Sequence, residues 1–254
     1  MLRGLIRNQM PEIRPHPGPA EEQAPATGGK SGALRAAVFG LNDGLISNLS
    51  LIMGVTGAVS DNTIILIAGV LGLLAGAFSM GAGEYSSMRV QREVFERLIH
   101  LEAHELATEP EEEREELIGI YRRKGVPPEV AEQLVDALHR DPELALATHA
   151  REELGLDPEE GLGSPWGAAI SSFIMFSIGA FIPLLPFVIG SGTAAVLSAI
   201  ALSAVTLFVV GAVLSRLTGK RFYVSGLRML FIAALAAAVT YGVGRLWHVG
   251  TTAV

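Results

Sequence analysis

The sequence contains no cysteine. Disulfide bonds, zinc sites built from thiolates and iron–sulfur clusters are therefore excluded, because each of them needs cysteine sulfur. Charged residues are also scarce, at 18% of the 254 residues, and the run 161–215 contains no Asp, Glu, Lys or Arg. Half of the chain is apolar, and the mean hydropathy is +0.41. Such a composition is more apolar than that of an ordinary soluble protein.

Signatures of common enzyme classes are missing as well. The sequence has no P-loop, no dinucleotide-binding glycine pattern, no G-x-S-x-G and no H-E-x-x-H. Di-iron oxidases of the helical-bundle type use Glu-x-x-His on two helices, and here the nearest pattern is Asp136-x-x-His139. We therefore predict that the protein is not an enzyme and that any transport is driven by a gradient or by another chain.

Apolar runs long enough to cross a membrane occur five times. A spanning helix needs about 20 mostly apolar residues. A Gly/Ser turn at 189–193 separates the third run from the fourth. The sequence predicts an all-α integral membrane protein with five transmembrane helices. They are expected at about 36–60, 62–83, 165–188, 194–216 and 222–247.

Acidic residues are concentrated in residues 92–160, which we call the acidic segment. It holds 20 of the 26 Asp and Glu and 8 of the 19 Lys and Arg, a net charge of −12, whereas the rest of the chain has 11 basic and 6 acidic residues. This asymmetry indicates two environments. We predict a disordered tail at 1–33, two spans in 34–91, a helical domain in 92–160 and three spans in 161–250.

Basic residues flank the predicted spans on one side of the membrane. They precede span one, follow span two and lie between spans four and five, whereas the loops at 60–63 and 189–193 have none. The positive-inside rule then places the N-terminus and the acidic segment in the cytoplasm and the C-terminus on the opposite side. Arg outnumbers Lys by 16 to 3, which favours a prokaryotic cell (inner) membrane.

Proline and glycine divide the acidic segment into three short predicted helices. Pro110, Pro128 and Pro142 stand at helix starts, and Gly125 and Gly155 stand at helix ends. Residues 84–107 are predicted to continue the second span out of the bilayer. A modest core is expected from Leu117, Ile120, Tyr121, Val130, Leu134, Leu138, Leu144 and Leu146.

One carboxylate lies inside the first predicted span. Asp43 stands about two helical turns beyond Arg35. A charged side chain near the middle of a span costs about 2.5–3.5 kcal/mol on insertion scales, so such residues generally mark an ion or proton pathway. The alternative is a structural role, in which Asp43 pairs with backbone groups or with neighbouring polar side chains.

Two further candidates lie in the second span. Met80 and Glu84 are four residues apart and therefore share a helix face. A thioether beside carboxylates suits a transition metal better than Mg²⁺ or Ca²⁺. The alternatives are that Met80 packs against neighbouring helices and that Glu84 is an interfacial residue at the end of the span.

The acidic segment contains three pairs of potential metal ligands, each on one helix face. The pairs are Glu102 with Glu105, Glu113 with Glu116, and His149 with Glu153. Three helices that each offer two donors would enclose cations. Acidic residues outnumber basic ones in this segment, which favours neutralisation of the carboxylates by bound metal. The alternative is a solvated acidic face.

Three stretches of the sequence resemble the vacuolar iron transporter family and its prokaryotic relatives. They are FGLNDGLISNLSLIMGVTGA, LAGAFSMGAGEYSSMRVQRE and ATHAREELGLDPEE, the last followed by SPWGAAISSF. The resemblance covers about residues 34–247. It implies a five-span protein that dimerises and carries a cytoplasmic metal-binding helical domain between spans two and three.

The resemblance also implies which ions and residues take part. Members of this family move Fe²⁺, and often Mn²⁺, out of the cytoplasm, and the eukaryotic members exchange the metal for protons. Asp43 and Met80 match the metal-pathway residues of the family in the membrane. The carboxylates of its cytoplasmic domain match Glu102, Glu105, Glu113, Glu116 and Glu153.

Two positions depart from the family pattern. Gly72 stands where plant-type members have a glutamate, although this chain carries Glu84 further along. His149 stands where a methionine is usual. An imidazole still binds Fe²⁺, but it also favours Zn²⁺, Co²⁺ and Ni²⁺ and introduces pH sensitivity near neutrality.

The sequence therefore predicts a transporter that exports Fe²⁺, and also Mn²⁺, in exchange for protons, with the acidic segment collecting metal at the pore mouth. The alternative is a membrane-anchored iron or manganese sensor or buffer without transport. No cofactor is expected to be permanently bound, and Fe²⁺, Mn²⁺, Zn²⁺ or Co²⁺ are the expected cargo and domain-bound ions. The expected partners are the lipid bilayer and a second copy of the chain, and not nucleic acid.

Overall fold

The structure is a computed structural model that describes residues 29–155 and 163–252. Within these residues the chain forms eight α-helices and no strand. The helices are α1 (Gly29–Ala58), α2 (Asn62–Thr108), α3 (Pro110–Arg123), α4 (Pro128–Leu138), α5 (Pro142–Glu152), α6 (Pro165–Ile189), α7 (Gly192–Thr218) and α8 (Phe222–Thr252).

Five of these helices, α1, α2, α6, α7 and α8, are long and apolar enough to cross a membrane. The predicted all-α architecture with five spans is confirmed. Helix α1 begins at Gly29, inside the range 1–33 predicted as a tail. The remainder of that predicted tail, residues 1–28, lies outside the described residues.

The second span continues well beyond membrane length. Helix α2 has 47 residues without interruption, which corresponds to about 70 Å at 1.5 Å per residue, whereas a bilayer core is about 30 Å thick. Asp61 begins the helix, since its Oδ1 accepts hydrogen bonds from the backbone N–H groups of Thr63 and Ile64. The helix continues without a break over 84–107, as predicted, and its last part belongs to the acidic segment.

Helix α1 lies at the centre of the bundle and packs chiefly against α6 and α8. Gly44 allows backbone contact with α6, because a Cβ at this position would lie 2.2 Å from the carbonyl oxygen of Phe176. On the side of α8, the Oγ1 of Thr240 donates a hydrogen bond of 2.6 Å to the carbonyl oxygen of Ser50. Small residues and one hydroxyl thus fix α1 between its two main neighbours.

The outer faces of the five long helices are apolar. Phe78 on α2 and Phe231 on α8 are examples, with 66% and 68% of their surface exposed. Apolar surface of this extent is unfavourable in water and favourable in a bilayer. The apolar outer surface and the five span-length helices together identify the protein as an integral membrane protein.

The acidic segment contains the three short helices α3, α4 and α5. Two of the predicted helix ends carry glycine in the left-handed region, Gly125 with φ of 91° and Gly155 with φ of 65°. An ion pair between Arg114 and Asp136 joins α3 to α4, and one between Lys124 and Glu152 joins α3 to α5.

The core of this segment differs in part from the predicted one. Leu117 and Ile120 are buried as expected, but Val130, Leu134 and Leu144 are exposed. The reason is the rotation of α4 and α5 about their axes. The inward face is formed by small or β-branched residues one position further along, namely Ala131, Val135 and Ala145.

Candidate metal centres

Four ligand-type side chains converge where α3 and α5 meet the extension of α2. They are Glu102, Glu113, His149 and Glu153, and we call them the carboxylate–histidine cluster. One nitrogen or oxygen atom from each lies within 4.8 Å of all the others. The Nδ1 of His149 lies 3.0 Å from Oε1 of Glu102, 3.4 Å from Oε2 of Glu113 and 3.8 Å from Oε2 of Glu153.

Three of the four members of the cluster are buried, which is unusual for charged side chains. The His149 side chain is fully buried, and those of Glu102, Glu113 and Glu153 are 3%, 10% and 24% exposed. Within the described part of the chain, Nδ1 of His149, Oε1 of Glu102 and Oε2 of Glu153 make no hydrogen bond of normal geometry. Buried polar atoms are nearly always satisfied. A divalent cation would satisfy all three, and carboxylate with imidazole is a donor set that suits Fe²⁺, Mn²⁺, Co²⁺ and Zn²⁺.

The electrostatics of the cluster favour bound protons or bound metal. Burial opposes protonation of His149, but the carboxylates of Glu102 and Glu153 outweigh it and raise the pKa of the imidazole to about 9. Burial, reinforced by the charge of Glu102, raises the pKa of the Glu113 carboxyl to about 7. A metal that enters the cluster at neutral pH must therefore displace protons.

Metal affinity of the cluster should fall steeply as the pH is lowered. Between pH 9 and 7 the cation displaces one proton from His149, so affinity should drop about tenfold per pH unit, and below pH 7 the proton on Glu113 steepens the dependence. Titration of the purified protein with Mn²⁺ at pH 6, 7 and 8 measures this slope. A Mn²⁺ affinity that stays constant over that pH range would contradict the assignment of the cluster as the metal-binding site.

Two predicted ligands lie beside the cluster rather than in it. Glu105 and Glu116 are not among the four converging residues, but both are close enough to interact electrostatically with Glu102 and Glu153. Burial, followed by the charge of Glu153, raises the pKa of Glu116. These two carboxylates form the outer rim of the cluster.

Replacing Glu102 by Gln should weaken Mn²⁺ binding by more than about tenfold, since it removes a buried carboxylate ligand and keeps the side-chain shape. Thermal stability without metal should fall at neutral pH, because Glu102 lies 3.0 Å from Nδ1 of His149 and compensates the charge of this buried, protonated imidazole. Glu96→Gln is the matched control, as Glu96 lies on the same helix and pairs with Arg92 at 2.9 Å. Equal Mn²⁺ affinity of the two variants would show that Glu102 is not a metal ligand.

A residue that the sequence did not single out as a ligand, His139, also touches the cluster. Its Nε2 lies 3.1 Å from Nε2 of His149, on the side of the ring opposite to the carboxylates. Burial, and then the charge of His149, lowers the pKa of His139. No local pattern reveals this contact, because the two residues belong to different helices.

A second candidate site lies among the spans. Asp43, Met80 and Glu84 line one cavity of about 470 Å³ between α1 and α2, with Phe176 of α6 in its wall. The Oγ of Ser47 donates a hydrogen bond of 2.9 Å to Oδ1 of Asp43. The three membrane residues that the sequence singled out, from two different spans, are therefore brought together. We call this the Asp43 cavity.

Asn48 adds an oxygen to the Asp43 cavity. Its Nδ2 donates a hydrogen bond of 2.7 Å to the carbonyl oxygen of Ala180, which fixes the orientation of the amide. Its Oδ1 is buried and receives no hydrogen bond from the described residues. A Cβ at Gly72 would lie 2.9 Å from this oxygen. The amide oxygen thus stands beside Gly72 in the wall of the cavity.

Glu84 also approaches the start of the first span. Its Oε2 lies 4.0 Å from Nη2 of the exposed Arg35, and both residues line the Asp43 cavity. This contact is compatible with the interfacial role that the sequence left open for Glu84. Along α2, Glu84 and Glu102 are separated by about 27 Å, so one helix connects the cavity to the cluster.

The described residues thus form an all-helical membrane protein with five span-length helices, in which an acidic cavity and a carboxylate–histidine cluster bring together side chains of the types that ligate cations. The model of the VIT family matches residues 34–245, and the chain belongs to this family. The resemblance noted from the sequence is thereby confirmed.

Several curated proteins are similar to this chain over most of its length. Vacuolar iron transporter 1 of Oryza sativa subsp. japonica is 32% identical over 216 residues, which are 84% of each chain. The protein of the same name in Arabidopsis thaliana is 32% identical over 212 residues, covering 82% of this chain and 83% of the relative. The vacuolar iron transporter of Acanthamoeba castellanii is 35% identical over 237 residues, covering 89% and 82%. The family is one of transporters, so the prediction that the protein is not an enzyme is confirmed.

Proposed function

We propose that the protein transports divalent transition metals, Fe²⁺ and also Mn²⁺, out of the cytoplasm in exchange for protons. The observation that carries this proposal is the Asp43 cavity, where Asp43, Met80 and Glu84 meet between two spans. A carboxylate inside a membrane is costly unless an ion or a proton uses it, and a thioether beside carboxylates suits a transition metal. The names of the relatives, which are vacuolar iron transporters, support iron as the cargo.

In this proposal the carboxylate–histidine cluster collects metal before transport. It lies outside the membrane-length part of α2, and its unsatisfied buried atoms provide a polar environment for one cation. The rim carboxylates Glu105 and Glu116 increase the local cation concentration electrostatically. The protons that a metal displaces from His149 and Glu113 couple this step to pH.

The topology follows from the distribution of basic residues. We place the N-terminus and the acidic segment in the cytoplasm and the C-terminus on the opposite side, in a prokaryotic cell membrane. We also propose a homodimer, in which two copies of the Asp43 cavity face a common axis. The transported Fe²⁺, Mn²⁺, Zn²⁺ or Co²⁺ is cargo, and no permanently bound cofactor takes part.

A second candidate function is that of a membrane-anchored metal sensor or buffer. It is favoured by one observation, namely that the carboxylate–histidine cluster is formed entirely by residues outside the apolar part of the spans. In that case the Asp43 cavity would have no role in ion movement. The two functions differ in whether bound metal reaches the other side of the membrane.

Metal flux into sealed proteoliposomes tests the proposal directly. The vesicles contain the purified protein and a pH-sensitive dye, and Fe²⁺ or Mn²⁺ is added outside in separate experiments. Uptake of metal together with a change of internal pH is the expected result. Metal that binds but never enters the vesicles would overturn the transporter proposal and leave the sensor or buffer.

A further inference from the structure

The two imidazole rings of His139 and His149 meet edge to edge. Their Nε2 atoms are 3.1 Å apart, a normal hydrogen-bond distance, and the ring planes are inclined by 49°. His139 directly follows α4, and its backbone N–H is held by the carbonyl oxygen of Val135 at 2.9 Å. The ring of His139 is therefore presented from a fixed backbone position.

The position of the proton between the rings follows from the other edge of His149. Its Nδ1 faces three carboxylates, with Glu102 and Glu113 the nearest at 3.0 and 3.4 Å. A metal held by those carboxylates needs the lone pair of Nδ1. A neutral imidazole has one N–H only, so the proton of His149 must then sit on Nε2. That N–H points at Nε2 of His139.

We propose that His139 is a positioning residue for the carboxylate–histidine cluster. It accepts a hydrogen bond from Nε2–H of His149 and thereby holds His149 in the tautomer and ring orientation that direct the lone pair of Nδ1 towards the carboxylates. Histidines that bind metals generally donate their second N–H to such a partner, which improves their ligand strength. This inference rests on the metal-binding role proposed above for the cluster.

The neighbours of His139 leave it available for this role. Asp136 lies one turn before His139, but it accepts a hydrogen bond of 2.6 Å from Nε of Arg114. The other nearby carboxylate, Asp141, accepts hydrogen bonds from the backbone N–H groups of Glu143 and Leu144. The guanidinium of Arg114 makes the outer side of His139 unfavourable for a cation. His139 is therefore suited to accept a hydrogen bond from His149 rather than to bind metal itself.

The proposal also accounts for why His139 and His149 lie together in this chain. The imidazole of His149 is fully buried. Its second ring nitrogen would be unsatisfied without His139. The structure thus links the imidazole ligand on α5 to an acceptor at the end of α4.

Two substitutions at position 139 separate a hydrogen-bond acceptor from mere packing. His139→Leu fills space but accepts no hydrogen bond, whereas His139→Gln retains an acceptor in its side-chain carbonyl. His104→Leu is the matched control, since His104 is exposed on α2. Full-length protein in detergent is titrated with Co²⁺, whose visible spectrum reports on nitrogen and oxygen ligands.

We expect His139→Leu to weaken Co²⁺ binding about 10- to 100-fold, and His139→Gln to recover most of that loss. His104→Leu should bind like the wild type. A wild-type affinity in His139→Leu would overturn the inference while leaving the proposed cluster intact. If the wild-type protein itself binds no Co²⁺, the proposed metal-binding role fails, and the inference fails with it.

Nitrogen-15 NMR of histidine-labelled protein loaded with Zn²⁺ provides the independent readout. His149 should have its metal on Nδ1 and its proton on Nε2, and the Nε2 resonance should shift in His139→Leu. Comparison with a His149→Met variant identifies the resonance. Metal on Nε2 of both His139 and His149 would contradict the proposal, because His139 would then be a ligand.

Discussion

Replacing Asp43 by Asn should reduce metal uptake into proteoliposomes by at least about 100-fold. The substitution keeps the size of the side chain and its contact with Ser47, but it removes the only negative charge of α1 in the Asp43 cavity. A cation that enters the hydrocarbon region needs charge compensation there. Uptake of Mn²⁺ and the accompanying pH change should disappear together.

The control for Asp43→Asn is Asp61→Asn. Asp61 begins α2 at the end of the first span, and asparagine replaces aspartate at helix N-caps with little loss. Both variants should still bind Mn²⁺ at the carboxylate–histidine cluster. Transport at the wild-type rate by Asp43→Asn would show that the intramembrane carboxylate is structural, the alternative that the sequence left open.

The second large effect is expected for Gly44→Ala. The added Cβ would lie 2.2 Å from the carbonyl oxygen of Phe176 and 2.9 Å from the amide nitrogen of Ala180. Neither atom belongs to a flexible side chain, so α1 and α6 would have to separate. Overpacking of this kind costs about 1–3 kcal/mol and sometimes more. We expect a lower melting temperature and a lower yield of folded protein.

Gly242→Ala provides the matched comparison for this prediction. Gly242 lies within α8, and no atom lies within 4 Å of a Cβ built on it. Alanine there should stabilise the helix by about 0.5–1 kcal/mol, since glycine is a poor helix former. Thermal unfolding in detergent, followed by tryptophan fluorescence, compares the two variants. Equal melting temperatures would mean that the close approach of α1 and α6 does not control stability.

Gly44 also bears on function through its neighbour. The Asp43 side chain lines the cavity on the face of α1 that is turned towards α2. Gly44 lies on the neighbouring face of α1, which packs directly against the backbone of α6. The distance between α1 and α6 therefore sets where the Asp43 carboxylate stands. A variant that folds with the two helices further apart is expected to transport poorly even with Asp43 present.

Local sequence patterns determined most of the fold. The five spans could be read from the length of uncharged apolar runs, because a backbone in hydrocarbon must satisfy its own hydrogen bonds and does so as a helix. The ends of the short helices could be read from Pro128, Pro142, Gly125 and Gly155, since proline and glycine act through their own backbone geometry. These signals do not depend on what the helix touches.

The choice of cluster residues needed the tertiary structure. Glu102 and Glu105 share a helix face, as do Glu113 and Glu116, but only Glu102 and Glu113 point into the cluster. Residues three apart differ by about 60° around the helix axis. Which residue of each pair points inward depends on the rotation of the helix about its axis. Tertiary packing fixes this rotation, as it does in α4, where Val135 is buried and Leu134 is exposed.

By itself, the sequence determined the class of protein, its five spans and the residues with ligand chemistry, because hydropathy and residue type are local properties. The tertiary structure decided which of those residues meet. It joined Asp43 to Met80 and Glu84 in one cavity, and it set His139 against His149. Those contacts cross between helices, and their geometry comes from glycine-mediated packing and helix rotation, which no local pattern contains.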